Sequence, residues 1–120
     1  MRKPLLWLLA LFASATVAAA DPRALALELS EMKPIAATHA ATTWALAPEV
    51  SRRVAIAQAL EWDFPLFGDR AILEHLAADP SPIVRAACVR AAWMRHDHET
   101  LGRLAADPDP DVRSIATYAG

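Results

Sequence analysis

Residues 76–85 read LAADPSPIVR, and residues 104–113 read LAADPDPDVR. Eight of these ten positions are identical, at an offset of 28 residues. A period of twenty to fifty residues marks a chain built from stacked supersecondary units, each burying its apolar face only against its neighbours. The repeat therefore decides the architecture, and it weights the function toward a binding surface and away from an enzyme.

Working outward, residues 70–78 predict a short helix with Ile72, Leu73 and Leu76 on one side and Asp69 as its N-cap. It stops at Asp79, because Pro80 disfavours helical backbone in the residue before it. Ser81 is expected to cap the next helix, with Pro82 in its first position, where a missing N–H costs nothing. That helix extends to about Met94, with Val84, Ala87, Cys88 and Ala91 on one buried stripe. The second copy repeats the pattern over 99–106 and 110–119, with Leu101, Leu104 and Ala105 inward on the first helix and Val112, Ile115, Ala116 and Ala119 on the second. Asp109 and Asp111 suit the positive end of that last helix. A weaker copy, SRRVAIAQALEW at 51–62, lies 31 residues before 82–93 and shares an alanine and the final tryptophan. Between the two lies DFPLFG, 63–68, whose Phe64, Leu66 and Phe67 are expected to fold back over the edge of the stack. Residues 23–32 and 34–46 add two more helices. Glycine is nearly absent and no strand-like alternation occurs, so the expectation is all-α, about seven helices joined by proline-marked turns.

The first twenty residues follow a different logic. Arg2 and Lys3 precede an apolar run from Leu5 to Val17, then Ala18, Ala19 and Ala20. This is the three-part pattern of a secretory signal peptide, with cleavage expected between Ala20 and Asp21. The run is short for a membrane span of about 20 strongly apolar residues, so no stable membrane insertion is expected after cleavage. No cysteine follows it to carry a lipid. The expected mature chain, 21–120, carries 10 Lys+Arg against 14 Asp+Glu. That balance, without a basic cluster, argues against nucleic acid as a partner. Cys88 is the single cysteine, so no internal disulfide forms, and among alanines it reads as a small buried apolar residue.

The segment LAADPxPxVR followed by an alanine-rich helix resembles the HEAT repeat family, particularly its short bacterial members. The resemblance covers 69–120 well and 48–62 loosely, and does not reach 21–47, which is left as a helical cap or a degenerate repeat. It implies a right-handed α-solenoid of antiparallel helix pairs over 48–120. It implies turn roles for Asp79, Pro80, Asp107 and Pro108, and a complementary ladder of Arg85 and Arg113. Members serve as scaffolds and adaptors, so the resemblance implies a non-catalytic protein-interaction module, periplasmic or secreted, with no cofactor and an unidentified protein or peptide partner. Self-association through an open C-terminal end is the alternative.

Candidates for chemistry are few. His96 and His98 form an H-x-H pair beside Glu99, with His75 as a third ligand for zinc; the same residues fit a polar turn between units equally well. No nucleophile elbow, phosphate loop or H-E-x-x-H spacing is present. Trp62 and Trp93 fall at matching places in consecutive units of the 31-residue alignment. Their bulk suits core packing; flanked by Arg90 and Arg95, they also suit an interface ridge, where Trp and Arg are the usual anchors.

Overall fold

A computed structural model describes residues 21–119, and side chains as far as 118. The signal-segment reading and its cleavage point fall on or against residues 1–20, which lie outside the described residues. Those described form seven helices and no strand: α1 (Pro22–Glu31), α2 (Pro34–Ala45), α3 (Val50–Ala59), α4 (Asp69–Ala77), α5 (Pro82–Met94), α6 (His98–Ala105) and α7 (Pro110–Ala119). None is long and apolar enough to cross a membrane.

Proline opens four of these helices, and in two of them the aspartate before it caps through its side chain. Asp21 Oδ1 accepts from Arg23 N at 2.9 Å, and Asp109 Oδ1 accepts from Asp111 N at 2.9 Å and Val112 N at 3.2 Å. Two caps differ from expectation. Asp69 lies inside α4, not before it; the N-cap is Gly68, whose φ of 69° is left-handed and suits a residue without Cβ. Ser81 caps α5 by position only: its side chain accepts no helix N–H, while its own N–H donates to Asp79 Oδ1 at 2.9 Å.

Every second helix packs on the next of its kind. One row runs α1, α3, α5, α7 and the other α2, α4, α6, and each helix also touches its chain neighbour. The core lies between the rows, a single cluster built from leucines, valines and many alanines, among them Leu29, Ile56, Leu73, Leu76, Val84, Cys88 and Leu104. Alanine lets helices approach closely while keeping high helix propensity. Phe64 is buried, Leu66 half-buried and Phe67 exposed, so the 63–68 connection reaches the core mainly through one ring. Ile115 and Ala105, expected inward, are exposed; Val112 and Ala116 carry the buried stripe of α7.

The rows are tied along one edge by arginine–aspartate rungs. Arg85 Nη1 donates to the carbonyls of Asp79 (2.7 Å) and Pro80 (3.2 Å) in its own turn. Its Nε and Nη2 reach Asp107 of the next turn, at 2.9 and 3.2 Å. Arg53 does the same one unit earlier: Nη1 to the carbonyls of Ala47 and Pro48, Nε and Nη2 to Asp79 at 2.7 and 3.3 Å. Arg53 stands 32 residues before Arg85, so the geometric register of the first copy is 32 and not the 31 taken from the tryptophans. Ala47 occupies the place of Asp79 and Asp107. The helix that would supply its arginine, α1, has Leu25 there, three residues in, as Arg53, Arg85 and Arg113 are in α3, α5 and α7. Donor and acceptor are missing together, which avoids burying a carboxylate without a partner.

Candidate binding groove

A wide hollow on the rung-bearing row crosses α3, α5 and α7. It holds about 660 Å³ and is lined by Gln58 and Glu61 from the α3 side, Ala86, Ala87, Val89, Arg90 and Trp93 from α5, and Ile115 and Tyr118 from α7. The floor is small because alanines fill the middle helix; the walls are large. Trp93 is 53 % exposed, Ile115 46 % and Tyr118 90 %. Isolated apolar residues at a surface need no explanation, but several around one concave floor form a contiguous apolar patch, the usual mark of an interaction site. Arg90 Nε stands 3.9 Å from Glu61 Oε1, a loose and exposed contact that leaves its guanidinium available. Burial raises the pKa of Glu61, and the charge of Arg90 partly opposes this.

The four interface candidates separate. Arg90 and Trp93 line this groove. Trp62 does not: it sits past the end of α3 and lines a different hollow with Leu27 and Phe64. In the 32-residue register its counterpart is Met94, while Glu61 corresponds to Trp93, so the two tryptophans form no common stripe. Arg95 does not line this groove. Its guanidinium is turned inward, with Nε on Leu60 O at 2.7 Å, Nη2 on Trp62 O at 2.9 Å and Nη1 on Asp69 Oδ2 at 3.0 Å, and it lies 5.1 Å from the Phe64 ring. It clamps the 63–68 connection, with each guanidinium nitrogen bonded there.

The histidines do not assemble. His96 and His98 have ring centroids 6.4 Å apart, tilted by 48°. His75 lines a separate hollow with Phe67 and Ile72. Among the described residues no three His, Cys, Asp or Glu side chains are grouped to hold a metal ion. Asp97 is buried by its capping work: it accepts from Thr100 N at 3.2 Å and Thr100 Oγ1 at 2.7 Å, with Arg70 at 3.6 Å. Cys88 is fully buried, donates to Val84 O at 3.2 Å, and burial with the nearby Asp79 charge pushes its thiol pKa up, so it is inert as a nucleophile in the folded chain.

Sequence reasoning missed Arg53. The signal was present: an arginine six residues after an Ala-Pro pair, as Arg85 is six after Asp79-Pro80. The tryptophan alignment hid it by one residue. No family model matches the chain, and neither curated proteins nor solved structures yield a match to it.

Proposed function

We propose that this chain is an exported HEAT-like repeat protein, a right-handed α-solenoid of antiparallel helix pairs, acting as a non-catalytic protein-interaction module. The alternating helix contacts and the two repeated rungs support the solenoid reading. The pattern of residues 1–20 supports export. The observation that carries the binding role is the groove: Trp93 half-exposed beside Arg90, over an alanine floor. The occupant it suits is a polypeptide segment with a bulky apolar side chain for the floor and an acceptor for Arg90. Anchors of this kind contribute most of an interface's energy when a partner desolvates them.

The test uses immobilised chain 21–120 and an extract of exported proteins, with Trp93→Ala and Arg90→Glu in parallel. Both residues are exposed, so each variant is expected to melt within about 1 kcal/mol of the parent. A partner retained by the parent and lost from both variants supports the groove. A partner retained equally by all three moves the binding surface elsewhere, and no specific partner at all sinks the reading.

A further inference from the structure

We infer that the α6–α7 end of the fold is a second docking surface, which takes the aspartate of a helix–Asp-Pro turn presented by a different polypeptide. Arg113 is the reason. Its Nη1 donates to the carbonyls of Asp107 (2.7 Å) and Pro108 (3.1 Å), the same anchoring that Arg53 and Arg85 use. In those two the Nε–Nη2 edge then meets an aspartate side-on. In Arg113 that edge has no partner among the described residues. The guanidinium is thus already held in the pose that receives a carboxylate, so little side-chain entropy remains to be lost on binding.

The surface around it keeps the shape of a packed face. Thr117 corresponds to Val89, which is fully buried in α5. Threonine is isosteric with valine, and its hydroxyl donates to Arg113 O at 2.7 Å, so its donor needs neither water nor a partner. On α6, Gly102 and Ala105 are exposed where α4 has the less exposed Glu74 and Ala77. A face meant only for water would carry lysines and glutamates; this one offers small side chains and one oriented arginine.

The chemistry also says what does not fit. A second folded copy has no carboxylate to give at the rung position. Asp79 and Asp107 are already taken by Arg53 and Arg85, and the remaining turn of this kind has Ala47. Asp21 stands one residue before its helix, at the place of Ser81 and Asp109, and caps Arg23 N. Among the described residues no aspartate is left for the Nε–Nη2 edge of Arg113.

A labelled peptide copying residues 92–119 is the probe, titrated against the full mature chain. Saturable binding is expected, weakened at least tenfold when the peptide carries Asp107→Asn, and likewise when the chain carries Arg113→Lys, which keeps the charge and loses the side-on pair. The peptide variant leaves the chain untouched, so its effect cannot arise from misfolding. In cis, appending a second copy of 92–119 after Ala119 is expected to raise the Tm, and Arg113→Ala to cancel the rise. Binding indifferent to both substitutions, or an appended unit that stays protease-labile, overturns the inference. So does self-association of the chain alone that Arg113→Lys abolishes, because the occupant is then a second copy. Groove variants such as Trp93→Ala leave this titration unchanged, which keeps the two surfaces separable.

Discussion

Arg85 and Arg113 end two nearly identical ten-residue stretches, yet they do different work. Arg85 joins two turns and is mostly buried, with 15 % of its side chain exposed and 5 % of its partner Asp107. Arg113 holds only its own turn and is exposed. The difference lies in what stands next to each. A repeat encodes a connector, and the neighbour decides whether the connector becomes a buried ion pair or a surface cation. The value of the same side chain follows: removing one member of a buried, hydrogen-bonded pair leaves the other uncompensated, whereas an exposed arginine contributes little.

The largest effect expected follows directly. Arg85→Ala should destabilise the chain by about 3 kcal/mol, and Arg113→Ala by less than about 1 kcal/mol, measured by urea unfolding at neutral pH. Equal losses at the two positions would break the comparison, since the second rung would then be something other than an interior pair. Acid sharpens the same point. Burial by itself raises the Asp107 pKa, but the Arg85 hydrogen bond, the Asp109 N–H and the charges of Arg85 and Arg113 outweigh it, and the net pKa is lowered. A carboxylate with a depressed folded pKa contributes stability that is fully present above its unfolded value of about 3.9. That contribution is lost as pH falls through the folded value. Between neutral pH and pH 3, Asp107→Asn should therefore lose less stability than the parent does. An equally steep acid profile in the variant would show that Asp107 is not the titrating group.

The helices and their order were legible in the sequence because proline and the apolar stripes mark ends and faces locally. The rung was half legible: the repeated Asp-Pro and Val-Arg named the residues, but the direction, each arginine reaching forward to the next turn, is a tertiary fact. Arg53 was hidden because Ala47 replaced the expected aspartate, and a pattern search anchored on Asp-Pro passes over it. The groove was legible only as Trp93 and Arg90. Ile115 joined the stripe of α7 on spacing alone, since periodicity cannot tell a core-facing position from one beside a hollow when the helix packs on two neighbours. Arg95 looked like a partner of Trp93 in sequence, yet its reach is backward to Leu60 and Trp62, a contact across 33 to 35 residues.

A smaller effect tests the neighbour argument with one chemical change made twice. Val89→Thr places a hydroxyl between α5 and its neighbours and should cost about 1 kcal/mol, limited because the hydroxyl can donate to Arg85 O, as Thr117 does to Arg113 O. Thr117→Val makes the reverse change at the equivalent position and should shift stability by less than about 0.5 kcal/mol, as surface substitutions do. Thermal melts of the two variants decide it. A large loss in Thr117→Val would mean that its hydroxyl is essential to holding Arg113.

The smallest expected effect concerns the turns between units, which have no rung. After α5 the chain turns through His96 at φ 57°, left-handed backbone for a residue that carries a Cβ. Asp97 N donates to Ala92 O at 2.8 Å across it, the six-to-one bond of a helix C-terminus that usually ends in glycine. The Asp-Pro turns are held by the arginine of the preceding unit on the aspartate and by their own arginine on the carbonyls; this turn does it with strained backbone. Relieving left-handed strain is worth about 1 kcal/mol, and the greater freedom of glycine in the unfolded chain takes back about half of that. His96→Gly should therefore raise stability by about 0.5 kcal/mol, read as a small increase in Tm. A decrease would mean that the imidazole, which lines a hollow with Asp69, Arg70 and Arg95, stabilises the turn by more than its backbone strain costs, and that the turns between units have a side-chain lock of their own.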